Sequence, residues 1–251
     1  MSRKPFLFAS LIVLLAPILP AQTVDEIIAK NIQARGGVDK IKAVQSVRSS
    51  GTMSLGPGIE APGSLVQKRP NMARLEFTVQ GLTAIQAYDG KDAWQIMPFT
   101  GKKDPELMSA DEKKEMEEDA DIDGDLVDYA SKGSKVELLG KDKVEGSDTY
   151  KLKVSLKNGD IKTIYLDADS FLEIKEETKR TVRGTEREIE SALGDYKEVN
   201  GLMFPFAIES GLKGSEEKEK LTLSKIELNV PVDDSIFKMP ASAPSGEEPK
   251  K

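Results

Sequence analysis

A two-residue alternation of apolar and polar side chains recurs along most of this chain, and it constrains the fold more than any other feature. It is clear in residues 73–79 and 82–88, and it returns several times between residues 135 and 228. Successive side chains of a β-strand point to opposite faces of a sheet, so this alternation predicts strands with one apolar face. Short turn sequences such as Asn158-Gly159 separate the segments and predict hairpins in series.

Three short parts of the sequence have the periodicity of a helix, and the second is a turn over residues 38–44 that places Ile41 and Val44 on one side. Residues 24–35 place Val24, Ile27 and Ile28 on one side and end at a pair of glycines. Past residue 100 the alternation stops, and an acidic insertion follows that contains a short charged helical stretch. We therefore predict a mainly β fold with some α-helix: an unclosed antiparallel β-barrel of about eleven strands, an N-terminal helix and a helical lid insertion at about residues 101–131.

The two ends of the chain differ from the part between them. Two basic residues precede an apolar run over residues 6–19, and a small residue follows at a plausible cleavage position. Residues 1–21 are therefore predicted to be a cleaved signal peptide, which would place the mature protein in the periplasm. The alternative is a membrane anchor, although prolines and a serine interrupt a run that is short for one. The folded domain is predicted to span residues 22–240, and residues 241–251 to form a disordered tail.

The composition excludes most familiar kinds of active site. The 251 residues contain no His and no Cys, which excludes imidazole bases, thiol nucleophiles, His-ligated metals and disulfides. Lys and Arg number 36 against 43 Asp and Glu, and the resulting net charge of −7 argues against a nucleic-acid partner. We expect a protein that is not an enzyme, without catalytic residues, a cofactor or a metal.

Acidic side chains leave two alternatives to that expectation. A carboxylate-based glycan hydrolase needs only two acidic residues across a cleft, and Asp167, Asp169 and Glu173 are candidates. They lie beside a predicted hairpin, where acidic residues ordinarily form the turn. The run over residues 119–124 resembles the first half of a calcium loop, but Ala130 stands where the bidentate Glu belongs, so a solvated acidic edge of the lid is expected instead.

The apolar face of the predicted sheet is larger than the N-terminal helix and the lid insertion can cover. A sheet with neither a second sheet nor enough helices opposite it curls around its own side chains or around a ligand. The outcome is either an apolar hollow suited to acyl chains or an ordinary core filled by the same side chains. The residues predicted to line the hollow and bind the ligand are Met53, Leu55, Leu75, Phe77, Val79, Trp94 and Ile96.

Several stretches of the sequence resemble periplasmic lipoprotein carriers of the LolA and LolB type, in the broad family of outer-membrane lipoprotein-sorting proteins. These stretches are LVQKRPNM at residues 65–72, DGKDAWQIMPF at 89–99, YKEVNGLMFP at 196–205 and SIFKMP at 235–240. They occur in order, and the resemblance covers most of the chain after residue 21. It is specific in these strand-turn motifs and loose elsewhere.

The resemblance implies an unclosed barrel, covered by helices, that carries acyl chains without covalent chemistry. Its expected partners are lipoprotein acyl chains or another lipid, and transfer partners at the inner and outer membranes. It also implies that Arg69 holds the lid closed, which a guanidinium with five fixed donors can do. The alternative is an Arg69 in solvent at a strand end. Because the acidic insertion departs from the carrier pattern, an envelope-stress sensor of the same architecture is a second interpretation.

Overall fold

The computed structural model describes residues 22–56, 58–182 and 184–241, so the predicted signal peptide and all but the first residue of the predicted tail lie outside the described residues. The helices are α1 (Val24–Ala34), α2 (Val38–Ala43) and α3 (Ala110–Asp119), and two 3₁₀ turns span Pro98–Thr100 and Asp234–Phe237. The strands are β1 (Ser46–Ser54), β2 (Glu60–Lys68), β3 (Met72–Val79), β4 (Leu82–Tyr88), β5 (Ala93–Met97), β6 (Lys102–Leu107), β7 (Lys135–Val144), β8 (Ser147–Ser155), β9 (Ile161–Asp167), β10 (Glu173–Val182), β11 (Thr185–Val199), β12 (Leu202–Leu212) and β13 (Glu219–Leu228).

The strands of the described residues form one 13-stranded antiparallel sheet, in the order β6-β5-β4-β3-β2-β1-β13-β12-β11-β10-β9-β8-β7. Sequential strands pair with each other on both sides, and the pairing of β1 with β13 joins the two halves. The edge strands β6 and β7 are not neighbours, so the sheet does not close on itself. This arrangement confirms the predicted mainly β fold with an unclosed antiparallel barrel.

The strand number exceeds the predicted value of about eleven, and β6 is the strand that the alternation did not reveal. β6 lies within the lid insertion predicted for about residues 101–131. Its sequence, KKDPEL, lacks apolar alternation because β6 is an edge strand whose side chains are mostly exposed. It pairs with β5, with Trp94 opposite Leu107 and Met97 opposite Lys102. The helical part of the insertion therefore begins after Leu107, which is 65% exposed.

One end of the sheet's inner face, the face that carries the helices, is covered by α1. A capping box starts this helix: Thr23 Oγ1 accepts a hydrogen bond from the Glu26 amide over 3.3 Å, and the Thr23 amide donates to Glu26 Oε2 over 3.0 Å. Ile27 and Ile28 are buried, and burial of each such side chain contributes about 1.5–3 kcal/mol. They pack with Leu126, Leu152, Val154, Ile164 and Leu166.

The middle of the inner face is covered by α2 together with residues 120–134, the segment between α3 and β7. Ile41 of α2 and Val127 of this segment are buried in one cluster with Leu202 and Phe206 of β12. Val127 is fully buried. The segment after α3 is therefore held by apolar packing.

The far end of the inner face is covered by α3. The predicted capping box is present, because Ser109 Oγ accepts from the Glu112 amide over 3.3 Å and Glu112 Oε2 accepts from the Ser109 amide over 2.8 Å. Met116 is the buried residue of this helix. It packs, with Ala120, on Ala73, Tyr88 and Ala93 of β3 to β5. The apolar attachment of α3 is therefore small.

On the opposite, outer face, the C-terminal segment covers part of β2 to β5. Phe237 is fully buried and packs with Val66 and Met72. Trp94 Nε1 donates to the Phe237 carbonyl oxygen over 2.7 Å. This segment therefore binds the side of the sheet that faces away from the lid.

Candidate ligand-binding cavity

A cavity of about 340 Å³ lies on the inner face, where β1 to β3 meet β12 and β13 beneath the end of α3. This volume is near the lower end of the ~300–1,000 Å³ typical of small-molecule sites. Most of its wall is apolar, as such sites require. The apolar side chains of the wall belong to Val47, Met53, Leu65, Leu75, Phe204, Pro205, Ile208, Leu221, Leu223 and Ile226.

Two glycines help to leave this space open. Gly51 of β1 and Gly63 of β2 are cross-strand partners, and both line the cavity, so no side chain projects from this pair. A Cβ atom on Gly51 would lie 2.4 Å from the carbonyl oxygen of Thr222, close to the point where the register of β1 against β13 shifts. Glycine within a strand marks such close approaches of two backbones. Here the same residue also leaves room beneath the lid.

Met53 and Leu75 are the two residues of the predicted lining that form the wall of this cavity. Phe77 and Val79 follow Leu75 at two-residue intervals in β3 and therefore share its face, beyond the cavity wall. Leu55 lies immediately after the end of β1. Contact with a ligand stays a prediction for all of these residues. Met53 and Leu75 are the ones whose side chains already line the cavity.

Trp94 and Ile96 project from the outer face instead. Cross-strand partners share a face, and Trp94 pairs with Ala87, whereas Leu75 pairs with Gln86, the neighbour of Ala87. Trp94 and Ile96 line a separate groove of about 450 Å³ between the sheet and the C-terminal segment. The strand β5 carries apolar side chains on both faces, so its alternation did not reveal which set points inward. The predicted lining is therefore divided between the two faces of the sheet.

Sequence reasoning missed the contribution of the last strands to the cavity wall. Leu221 and Leu223 alternate with polar residues, and Ile208 ends a mostly apolar run, which was enough to predict strands. Alternation does not specify which strand lies beside which. The pairing of β1 with β13 places Leu221 and Leu223 opposite β1, and the pairing of β12 with β13 places Ile208 beside Leu221.

Arg69 connects the lid to α2 and the sheet. Its Nε donates to the Val44 carbonyl oxygen over 2.6 Å, and its Nη2 to that of Ile41 over 3.2 Å. Its Nη1 donates to Asp123 Oδ2 over 3.3 Å, and its Nη2 also contacts Asp123 Oδ1. Lys42 Nζ lies 2.6 Å from the same carboxylate. The side chain is only 23% exposed, so Arg69 does not extend into solvent. Its guanidinium group binds α2 and the lid at the same time, which is the arrangement that the predicted role of holding the lid closed requires.

Asp123 is the buried end of this contact, with 5% of its side chain exposed. Burial alone would raise the pKa of its carboxyl, but the hydrogen bonds from Arg69 and Lys42 outweigh burial and hold the pKa below its usual value. The carboxylate is therefore ionised at neutral pH. Its attraction to two cations holds this part of the lid in place.

A second group of charged side chains attaches α3 and the start of the following segment to β9 and β10. Arg180 lies 3.0 Å from Glu115 and 3.0 Å from Glu118. Lys162 lies 3.0 Å from Glu118 and 2.8 Å from Asp125. Ion pairs withdrawn from water fix orientation more than they add net stability. These ion pairs therefore position α3 on the sheet. They add no apolar burial, which would otherwise have to be lost when α3 is displaced.

The three aspartates of the calcium-like run point in different directions. Asp119 lines the cavity, Asp121 pairs with Lys132, and Asp123 pairs with Arg69. In the part of the chain that the structure describes, no group of three or more His, Cys, Asp and Glu side chains is placed to hold a metal ion.

Of the carboxylates considered for glycan hydrolysis, Asp167 and Asp169 belong to a hairpin turn, and Glu173 is the first residue of β10. Asp167 Oδ1 accepts from the Ser170 amide over 2.7 Å and from the Asp169 amide over 3.2 Å. The hydrogen bond from Ser170 is the main reason that the pKa of Asp167 is lowered. A general acid needs a raised pKa, so Asp167 is a turn-forming residue by geometry and by charge.

These features define a class of protein: an unclosed antiparallel barrel with an apolar cavity beneath a helical lid. None of the helices in the described ranges is long and apolar enough to cross a bilayer.

Solved structures share this architecture. A LolA superfamily protein from Nitrosomonas europaea matches with a TM-score of 0.57 and 17% identity, over 87% of this chain and 98% of that one. A DUF1329 family protein from Desulfovibrio piger matches with a TM-score of 0.59 and 12% identity, over 87% and 98%. A domain from Vibrio parahaemolyticus named for outer membrane lipoprotein sorting matches with a TM-score of 0.56 and 13% identity, over 84% and 94%. No protein-family model matches the chain, and no curated protein matches it significantly. The similarity to these solved structures shows that the chain has a LolA-like fold.

Proposed function

We propose that this protein is a periplasmic carrier that binds the acyl chains of lipoproteins, or a similar hydrophobic ligand, for sorting to the outer membrane. The observation that carries the proposal is the apolar cavity of about 340 Å³ between the sheet and the lid. A LolA-like fold supports it, since two of the similar structures are a LolA superfamily protein and a domain named for lipoprotein sorting. The periplasmic location rests on the signal-peptide pattern of residues 1–21.

The way the lid is attached suits reversible loading. Leu126 and Val127, after α3, are 1% and 0% exposed, so this segment is anchored in the core. By contrast, α3 buries Met116 and is otherwise held by ion pairs, chiefly through Arg180, and by hydrogen bonds. Polar groups that separate when α3 moves can bind water in exchange, whereas an apolar side chain that leaves the core loses its burial. We infer that α3 moves when a ligand enters, and that the Arg69 contacts hold the anchored segment behind it.

The proposal is tested by binding of a neutral dansyl-labelled alkyl chain to the purified protein. Leu75→Asp places a carboxylate in the cavity wall and should weaken binding at least about tenfold, because burial of an unpaired charge is costly. Ile96→Asp is the matched control, since Ile96 lies on the outer face, and it should leave the affinity unchanged. Circular dichroism must show intact strand content in both variants. Met53→Asp supplies a second position if Leu75→Asp fails to fold.

Equal affinities of the Leu75→Asp and Ile96→Asp variants would count against a ligand in this cavity. Material that copurifies from periplasmic extracts distinguishes a carrier from an envelope-stress sensor. A carrier should copurify with a lipoprotein, whereas a sensor should copurify with a membrane-anchored regulator. Transfer to an inner- or outer-membrane partner can then be followed with the copurified lipoprotein.

A further inference from the structure

We propose that Asp119 makes the cavity selective for an amphiphile whose polar end carries a positively charged amine beside its apolar chain. This inference rests on the proposed function, because it assigns a ligand class to the same cavity. It adds a specificity-determining residue that neither the fold nor the apolar lining specifies.

The first support is the position of Asp119 in an otherwise uncharged wall. The other polar residues among those lining the cavity are Ser49, Ser64 and Gln67, which are neutral. Asp119 is thus the one charged residue of the described cavity wall. Asp119 is also an exposed residue, so its carboxylate lies where the cavity meets solvent, and there it attracts a cation and repels an anion as a partly screened charge.

The second support is that the carboxylate has no partner within the described residues. The amide of Gln67 donates to the main-chain carbonyl oxygen of Asp119 over 2.5 Å, which fixes the backbone and leaves the carboxylate unbound. The preceding acidic residue is different, since Glu118 lies 3.0 Å from both Lys162 and Arg180. Glu117 accepts a hydrogen bond from Tyr88 over 3.3 Å. In this part of α3, Asp119 alone keeps its carboxylate available to a ligand.

The third support comes from the helix itself. Asp119 is the last residue of α3, and the last turn contains no basic residue. The C-terminus of a helix carries partial negative charge, so a carboxylate there is unfavourable. A residue that contradicts its local environment without internal compensation is typical of a functional position. A bound ammonium group would supply the missing compensation.

The electrostatic surroundings agree with this assignment. Asp119 is an exposed residue, and partial loss of water around its carboxyl, followed by repulsion from Glu118, raises its pKa above the usual value. Glu115 adds to that repulsion, whereas Lys162 and Arg180 oppose it. The carboxylate is therefore ionised at neutral pH and becomes protonated in mildly acidic solution. Selection for an amine should therefore weaken in mildly acidic solution, where the carboxylate takes up a proton.

The test compares ligands with one chain and different polar ends. Decylamine, decanol and decanoate compete with the neutral dansyl probe at pH 7.5, each below its micellar concentration. The wild-type protein should bind decylamine about two- to fivefold more tightly than decanol, as expected for an ion pair at an exposed carboxylate, and decanoate least tightly. Asp119→Asn should abolish the amine preference and leave the affinity for decanol within about twofold of wild type. Glu117→Gln, on the same helix but outside the cavity wall, should keep the preference.

The outcomes separate this inference from the proposed function. Equal binding of decylamine and decanol by the wild-type protein, or an amine preference that survives in Asp119→Asn, would overturn the role of Asp119 while the cavity still binds apolar chains. If the dansyl probe itself does not bind, both the role of Asp119 and the proposed function are overturned. Two results together would support the assignment. The wild type should prefer the amine at pH 7.5 and lose that preference at pH 5, and Asp119→Asn should show no preference at either pH.

Discussion

Replacement of Arg69 by Met tests how the lid is held. The change keeps most of the side-chain volume and removes the charge and the donors. It deletes the hydrogen bonds to the carbonyl oxygens of Val44 and Ile41 and both contacts with Asp123. Loss of one partner from a buried ion pair costs about 3–5 kcal/mol. Arg69 is 23% exposed and Lys42 still lies 2.6 Å from Asp123, so we expect the smaller cost of about 2–3 kcal/mol.

The cost should appear in the lid before it appears elsewhere. A change of about 2 kcal/mol shifts an opening equilibrium by roughly 30-fold. Amide hydrogen exchange in residues 120–134 should therefore accelerate by roughly that factor, whereas exchange in the strands distant from Arg69 should change much less. Arg69→Lys keeps the positive charge but lacks the fixed set of guanidinium donors, so it should restore only part of the protection from hydrogen exchange. Arg48→Met, a substitution of the same type on the outer face, is the matched control.

The pH dependence gives an independent check of the same contact. The pKa of Asp123 is lowered in the folded protein, so its contribution is present above the unfolded pKa of about 3.9 and is lost as the pH falls through the folded value. The difference between wild type and Arg69→Met should therefore shrink below about pH 4. Exchange in residues 120–134 that stays within about threefold of wild type, or a difference that grows in acid, would refute the reasoning.

Two further predictions concern stability. Burial, followed by repulsion from Glu173, raises the pKa of Glu176 to about 8, so the fold favours its protonated form and loses stability as the pH rises from about 4.5 to 8. Glu176→Gln should raise the melting temperature at pH 8 by about 2–4 °C and flatten its pH dependence in calorimetry, and an unchanged slope would contradict this. Trp94→Phe removes the 2.7 Å hydrogen bond to the Phe237 carbonyl oxygen and should cost about 1–3 kcal/mol in urea unfolding. Equal midpoints and slopes of the two proteins would exclude that contribution.

The parts of the fold that the sequence predicts are those that short-range chemistry determines. The spacing of Val24, Ile27 and Ile28 predicts α1, and the pairing of Ser109 with Glu112 predicts the start of α3, as observed. Hairpins follow from alternation and turn residues within a few positions of each other. The edge strand β6 has neither signal, because its pairing with β5 uses backbone groups and leaves its side chains mostly exposed.

The candidate site depends on relations between distant residues and was only partly predictable. Met53 and Leu75 follow from alternation in strands with one apolar side. Trp94 was assigned to the wrong face because both faces of β5 are apolar, and only the register with β4 decides between them. The contacts of Arg69 required the lid to fold back over the sheet. Nothing in the sequence distinguished Asp119 from its acidic neighbours, whereas ion pairing of Glu118 does so in the structure.

The most direct test of the account is to locate a bound alkyl chain with a heavy atom. The protein is crystallised with a neutral alkyl ligand that carries bromine at the end of its chain, and the bromine is located by its anomalous scattering. The account predicts bromine on the inner face, in contact with Leu75 and Leu221 beneath α3. Bromine confined to the outer-face groove beside Trp94, or absent from the protein, would contradict it.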